Sequence, residues 1–164
     1  MVSNVCIIGL IPDFTASVSQ DLAEKLDMFY ANVDDIIEFE LMDVKKLEEV
    51  CGTEYLIKKE KDIVRNICSY ENSLLTLDYS VLNNEENIKN IRDNCLLIYL
   101  RFDRPNYISS MEQVEKDEPL SEDVFNDRDF ICKNISEFTI NCSAALSKKG
   151  VVELIYRSLL EYYS

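Results

Sequence analysis

The stretch that decides the fold runs from residue 4 to residue 17 and reads NVCIIGLIPDFTAS. Its first half, Val5–Ile8, is a continuous apolar run of strand length, and Gly9 and Pro12 follow it. A buried strand that leads through a turn into a helix is how a parallel α/β unit begins. We therefore expect a first strand over Val5–Ile8 and a helix after the turn.

Further apolar runs of strand length alternate with stretches of helical period along the rest of the chain. Most runs are apolar at consecutive positions, which indicates strands covered on both faces. The sequence therefore predicts an α/β fold, a three-layer sandwich in which a five-stranded parallel sheet is flanked by helices. The predicted strands are Val5–Ile8, Met28–Val33, Ser73–Leu77, Cys95–Leu100 and Phe138–Cys142, and the helical stripes are Val18–Leu26, Ile37–Cys51, Leu56–Ile67, Ile88–Ile91 and Val151–Tyr162.

No Gly/Ser-rich linker or repeat divides the chain, so residues 1–164 are interpreted as a single domain. Residues 102–129 show little periodicity, and a segment of that length is typical of a lid. The N-terminal apolar run has no basic residues before it, which argues against a signal peptide or a membrane span. The six Cys form no C-x-x-C pair and lie in or beside apolar runs, so we expect buried thiols in a cytoplasmic protein.

Composition excludes several kinds of chemistry. The chain has no His, which rules out His-based triads, His-ligated zinc and a His proton shuttle. Its three Gly are too dispersed for two of them to share one phosphate-binding loop. The 31 acidic residues outnumber the 17 Lys and Arg, and the net charge of -14 repels nucleic acids and anionic membranes. Neither is expected as a partner, and no metal site is expected.

The strand, glycine and helix of residues 4–17 resemble the opening of the shikimate kinase family, P-loop phosphotransferases whose first strand runs into G-x-x-G-x-G-K-[ST]. Gly9 falls on the first glycine of that motif. Every other defining position is changed. The second glycine falls on Pro12, the third on Phe14, the lysine on Thr15 and the magnesium-binding hydroxyl on Ala16, while Asp13 adds a negative charge.

These changes remove what a triphosphate needs. Pro12 supplies no N–H donor, the ring of Phe14 blocks close backbone approach, and Thr15 carries no cation. Each lost electrostatic group typically costs about 3 kcal/mol of transition-state stabilisation. We therefore expect no cofactor, with ATP and magnesium bound only if the chain is a divergent kinase.

The resemblance also implies a substrate site. Asp34 falls on the position implied to hold substrate hydroxyls, Asn32 replaces a carboxylate, and Arg128 falls on a substrate-binding arginine. Other implied groups are lost, and residues 112–129 hold eight acids against two bases, a net charge of -6 where a kinase lid is positive. The family's Phe-Arg corresponds to Leu56–Ile57, its triple glycine to Leu77–Tyr79, and its lid Arg-Pro-Leu to Glu118–Leu120.

Asp34 and Arg128 have two interpretations. They form a remnant pocket for a small hydroxylated acid, or Asp34 caps the helix it precedes and Arg128 is one base in an acid-rich loop. Asp34 and Glu38 are also four residues apart on one helix face, as the acid/base pair of a hydrolase could be.

The sequence leads to three functional hypotheses. The first is a shikimate kinase-like protein that has lost the phosphate-binding loop and serves as a non-catalytic binding or regulatory protein. The alternative is a divergent shikimate kinase, which the resemblance implies would phosphorylate shikimate with ATP in aromatic amino-acid biosynthesis. The third is a self-associating structural module, a possible homodimer, suggested by the nine Tyr and the tyrosine-bearing C-terminal helix.

Overall fold

A computed structural model describes residues 3–114, 118–143 and 146–164. The strands are β1 (Asn4–Gly9), β2 (Phe29–Asn32), β3 (Ser73–Leu77), β4 (Cys95–Phe102) and β5 (Phe138–Cys142). The helices are α1 (Pro12–Leu26), α2 (Val33–Leu41), α3 (Val44–Cys51), α4 (Thr53–Cys68), α5 (Glu85–Asn94), α6 (Arg104–Val114), α7 (Glu122–Ile135) and α8 (Lys148–Tyr163), with a 3-10 turn at Tyr79–Asn83. Within these ranges no helix is both long and apolar enough to cross a bilayer.

The five strands form one parallel sheet in the order β2-β3-β1-β4-β5. β1 lies at the centre, where Cys6 pairs with Leu75 of β3 and with Leu97 of β4. All five strands fall on the predicted apolar runs. The predicted five-stranded parallel sheet is confirmed.

Helices cover both faces of the sheet. On one face α1 and α8 bury Val18, Leu22 and Ile155 against it. On the other face α2, α4, α5 and α7 enclose a second core that includes Ile37 and Ile67. This arrangement confirms the predicted three-layer α/β sandwich.

The stripe predicted as one helix from Ile37 to Cys51 is two helices. Met42 ends α2 with φ 53° and ψ -107°, a conformation in which an α-helix cannot continue. Asp43 then caps α3 by accepting a hydrogen bond from the N–H of Lys46 at 3.1 Å. No residue of α3 is buried. Cys51 is consequently exposed, and the prediction that it is a buried thiol is wrong, whereas the other five Cys are buried.

The lid-like segment, residues 102–129, is helical over most of its described length and contains α6 and the first half of α7. Residues 115–117 of this segment lie outside the described ranges. Tyr107 and Phe125 are almost fully buried. The segment therefore contributes to the core, and its role as a lid stays a prediction.

Candidate functional site

The connection between β1 and α1 is two residues long. β1 ends at Gly9, and α1 begins at Pro12, whose fixed φ and missing N–H suit the first helical position. Ile11 is the N-cap and offers no side-chain hydrogen bond to the helix. Leu10 and Ile11 are therefore the whole loop, and the residues aligned with the rest of the phosphate motif lie in the first turns of α1.

Thr15 fills the space above Gly9. Its hydroxyl donates a hydrogen bond to the carbonyl oxygen of Ile11 at 2.9 Å, and its own N–H donates to the same oxygen at 3.0 Å. The hydroxyl oxygen lies 2.3 Å from the position that a Cβ on Gly9 would take. Thr15 is only 3% exposed. The close approach that Gly9 permits is therefore taken up by a side chain from the first turn of α1.

An apolar cluster covers this loop. Ile11 is buried and packs with Tyr107 of α6 and Phe125 of α7. The ring of Phe14 meets the ring of Phe102 edge to face, with 5.1 Å between their centroids. Ile11 and Phe14 therefore face hydrocarbon and aromatic rings.

Hydrogen bonds within the lid-like segment hold Leu120 against α6. The hydroxyl of Tyr107 accepts a hydrogen bond from the N–H of Leu120 at 2.9 Å. The guanidinium of Arg104 donates to the carbonyl oxygen of Leu120 at 3.2 Å and lies 5.5 Å from the ring centroid of Phe125. Leu120, the last of the three residues aligned with the family's lid motif, is thus fixed beside the apolar cluster.

A pocket of about 630 Å³ opens beside Phe14, with Ser17, Phe102 and Lys148 in its wall. The ammonium group of Lys148 donates to the hydroxyl of Ser17 at 2.9 Å and forms an ion pair with Asp21, also at 2.9 Å. Lys148 at the start of α8 is therefore held by two side chains of α1.

Asp34 lies in the first turn of α2. Asn32 caps this helix, because its Oδ1 accepts hydrogen bonds from the N–H groups of Asp34 and Asp35 at 3.0 and 3.3 Å. The expectation that Asp34 is the cap is therefore wrong. Asp34 Oδ2 accepts a hydrogen bond from the N–H of Asp78 at 2.6 Å. Burial, helped by the negative charges of Asp78 and Glu60, raises the pKa of Asp34 to about 6.

Arg128 lies in α7, so the expectation that it belongs to a loop is wrong. Its guanidinium stacks over the ring of Tyr79, 4.6 Å from the centroid. Tyr79 is buried at the start of the 3-10 turn that follows β3, and burial raises the pKa of its hydroxyl. A cation placed over an aromatic face is attracted by the ring quadrupole.

The two residues predicted for a remnant substrate site therefore contact two residues that are adjacent to each other in the sequence. Asp34 is bonded to the backbone of Asp78, and Arg128 is stacked on Tyr79. These neighbours belong to Leu77–Tyr79, the segment aligned with the family's triple glycine. The family's glycines have no side chains at this segment, whereas this chain has the carboxylate of Asp78 and the phenol ring of Tyr79 there.

A charge cluster around the buried Asp129 was not predicted. Asp129 accepts hydrogen bonds from the hydroxyl of Tyr99 at 2.7 Å and from Nε of Arg101 at 2.9 Å, and Lys133 lies 3.5 Å away. Burial raises the pKa of Asp129, but the hydrogen bonds from Arg101 and Tyr99 outweigh burial and hold the pKa below its usual value. In the sequence Asp129 is one of eight acids in residues 112–129, so nothing marked it as buried.

The sheet order β2-β3-β1-β4-β5, with helices on both faces and the candidate residues beside the carboxyl ends of β1, β2 and β3, defines a P-loop kinase type of α/β protein. Sequence comparison narrows this class. The sequence model of shikimate kinase matches residues 16–158, and the chain belongs to the shikimate kinase family. The match begins at Ala16, beyond most of the residues aligned with the phosphate motif.

A curated relative is the shikimate kinase of Caldicellulosiruptor bescii, which is 26% identical over 98 residues. That alignment covers 59% of this chain and 57% of the relative, so the chain spans little more than half of the relative's length.

Solved shikimate kinases share the fold at low identity. The enzyme from Aquifex aeolicus superposes with a TM-score of 0.76 at 16% identity, covering 98% of both chains. The enzyme from Acinetobacter baumannii, solved in complex with shikimate, gives a TM-score of 0.74 at 15% identity, covering 99% of this chain and 95% of that one. The resemblance predicted from the sequence is confirmed, whereas the ligand roles of Asp34, Arg128 and the residues from Gly9 to Ala16 stay predictions.

Proposed function

We propose that this member of the family is non-catalytic, does not bind the phosphates of ATP, and acts as a binding or regulatory protein. The observation that carries the proposal is the two-residue connection between β1 and α1, with Thr15 packed against Gly9. A phosphate-binding loop needs several free N–H groups around an open hollow. Here Pro12 has no N–H, and the N–H of Thr15 is bonded to Ile11.

The side chains at the magnesium and phosphate positions fit those ligands poorly. Thr15 brings no positive charge, and Ala16 has no oxygen to bind a metal ion. The Oδ1 atom of Asn32 already accepts two backbone hydrogen bonds. Asp13 places a carboxylate in the first turn of α1. Because phosphoryl transfer depends on cations around the phosphates, this set of groups supports a protein without ATP and magnesium.

The substrate side supports the same proposal. Asp34 and Arg128 each have a partner in Asp78–Tyr79. A small hydroxylated acid would have to displace a 2.6 Å hydrogen bond and a buried ring to reach both of them. We therefore favour a protein over a small hydroxylated acid as the partner.

An exposed apolar groove supports a binding role. Met42 and Val50 are 82% and 75% exposed. They line a groove of about 800 Å³ together with Tyr55 and Ile63. Large apolar side chains grouped at the surface are typical of interaction sites. A homodimer, the further alternative, stays a prediction that sedimentation can test.

One observation favours the second candidate, a divergent shikimate kinase. Asp34 occupies the position implied to hold substrate hydroxyls, and its pKa of about 6 is close to that of an effective general base. The same carboxylate is nevertheless engaged by the N–H of Asp78.

Two measurements separate the candidates. Calorimetric titration of ATP with magnesium is expected to show no heat, and binding in the micromolar range would overturn the proposal. A coupled assay of ADP release with shikimate, at high protein concentration, is expected to show no turnover. Turnover that is lost in Asp34→Ala and kept in Asp35→Ala, the exposed neighbouring control, would establish the kinase instead.

A further inference from the structure

A pocket of about 740 Å³ lies at the amino ends of the strands, whereas the candidate site lies beside their carboxyl ends. Its wall is formed by residues next to the starts of β1, β3 and β4 and by the end of α8. We name it the tyrosine pocket after Tyr70, Tyr162 and Tyr163, which line it. A volume of this size is typical of sites for small molecules.

The rings of the tyrosine pocket stand at an angle to one another. Tyr162 and Tyr163 meet edge to face at 85°, with 5.1 Å between their centroids. Tyr70 and Tyr162 are 44% and 51% exposed, so a small molecule can reach them. Within the described ranges, no Lys or Arg stacks on the ring of Tyr70 or Tyr162. Aromatic rings grouped in this way are how proteins recognise organic ammonium groups, because the ring faces attract positive charge.

The carboxylates of the tyrosine pocket also favour a cation. Glu71 and Asp93 are in its wall, and none of the described residues that line it is Lys or Arg. Asp93 forms an ion pair with Lys89 at the surface. Glu71 forms no ion pair with any described residue. A positively charged ligand would therefore give Glu71 a partner.

Three helices end beside the same pocket. α4 ends at Cys68, α5 ends at Asn94 and α8 ends at Tyr163, and each of these residues lines the wall. The carboxyl end of a helix carries a partial negative charge that stabilises a nearby cation. The backbone thus adds to the charge of the two carboxylates, and an anionic ligand is disfavoured.

Asn4 fixes the loop that carries Tyr70 and Glu71. This side chain is only 2% exposed, and its Nδ2 donates a hydrogen bond to the carbonyl oxygen of Tyr70. Its Oδ1 accepts a hydrogen bond from the N–H of Ser73 at 3.0 Å. Because the loop is held at two points, this wall is in place before a ligand arrives and little ordering is needed on binding.

We propose that the tyrosine pocket binds a small organic cation that carries a methylated ammonium group, of the kind found in choline. The methyl surface packs on the tyrosine rings, and the charge faces Glu71. A primary ammonium is strongly hydrated and fits less well, because Glu71 is the one wall carboxylate without an ion pair among the described residues. A metal ion also fits less well, because the described residues include no group of three or more metal-ligating side chains. The proposal does not depend on whether the phosphate site is functional.

Calorimetric titration of the full chain with choline at low salt tests the proposal. The control ligand is the neutral carbon analogue of choline, in which a tert-butyl group replaces the trimethylammonium group and the shape is kept. Choline is expected to bind with a Kd of about 1 mM or lower. The neutral analogue is expected to bind at least about tenfold more weakly, because it gains nothing from the ring faces or from Glu71.

Variants locate the binding site. Tyr162→Leu removes one ring and should weaken choline binding about two- to fivefold, whereas Tyr162→Phe keeps the ring and the affinity. Tyr55→Leu, on α4 and outside the tyrosine pocket, is the matched control and should leave binding unchanged. Glu71→Gln should weaken binding and reduce its dependence on salt. Glu71 is exposed, so this variant keeps the test decisive even if Tyr162→Leu does not fold.

Three results would overturn the proposal. The first is the absence of heat from choline, and the second is equal affinity for choline and its neutral analogue, which would show that charge plays no part. The third is a choline affinity that Tyr162→Leu and Glu71→Gln leave unchanged in folded protein, or that Tyr55→Leu lowers as much as they do, because the binding site would then lie elsewhere.

Discussion

Replacing Gly9 by Ala tests whether Thr15 occupies the space where a phosphate loop would open. The new Cβ would stand 2.3 Å from the hydroxyl oxygen of Thr15 and 3.5 Å from the carbonyl oxygen of Leu100. The hydroxyl must then turn away and lose its bond to Ile11, which costs about 1 kcal/mol. Overpacking a buried site adds about 1–3 kcal/mol, and the stiffer unfolded chain offsets about 0.5 kcal/mol. We expect the free energy of unfolding to fall by about 1.5–3.5 kcal/mol.

Urea unfolding followed by circular dichroism measures this change. Gly150→Ala is the matched control, because a Cβ there meets its nearest atoms at an ordinary 3.5 Å. In a helix that substitution is expected to stabilise by up to about 1 kcal/mol. In a Thr15→Ala background, Gly9→Ala should cost less than about 1 kcal/mol, because the colliding atom is gone. An equal cost in both backgrounds, or no cost in either, would refute the view that Thr15 fills this space.

The other predictions concern charge and surface. The pKa of Asp34 is raised from 3.8 to about 6, so the stability contributed by its protonated form is complete below the lower value and is lost as pH rises through the higher one. In urea unfolding, Asp34→Asn should therefore gain up to about 2 kcal/mol at pH 7 and nothing near pH 4. The same gain at both pH values, or an equal gain in the Asp35→Asn control, would contradict this explanation. Val50→Glu should reduce the fluorescence of a bound apolar dye without lowering stability by more than about 0.5 kcal/mol, whereas Val124→Glu on α7 should leave the dye signal unchanged. With a net charge of -14, the melting temperature should rise between low salt and about 0.15 M salt, and a flat or falling response would mean that the acids are already paired.

The strands were predictable from the sequence, but one helix boundary was not. Most of the strands lie on runs that are apolar at consecutive positions, which is typical of a sheet buried on both faces. The break at Met42 left no such signal, because Ile37, Leu41, Val44 and Leu47 keep helical spacing across it. The positive φ of Met42 and the cap from Asp43 end one helix and begin the next, and neither alters the apolar pattern.

In the candidate site, likewise, the positions of the residues could be predicted from the sequence and their contacts could not. The resemblance located Asp34, Arg128 and the loop after Gly9, because those positions follow from motif spacing. Their interactions come from tertiary structure: Asp34 meets Asp78 across 44 positions of sequence. The contact of Thr15 with Gly9 depends on α1 beginning as early as Pro12. Proline suits a first helical position, but the apolar stripe that predicted this helix begins only at Val18.

The packing of α6 over the loop between β1 and α1 also determines how often α6 moves away from that loop. Such a movement would take Tyr107 away from Ile11 and Phe125, and wetting these three side chains costs about 2 kcal/mol each. On that scale, on the order of one molecule in ten thousand is open at any moment. Amide hydrogens in the middle of α6 should therefore exchange with deuterium far more slowly than those of α3. A helix that moves away this rarely is unsuited to admitting a nucleotide at every turnover.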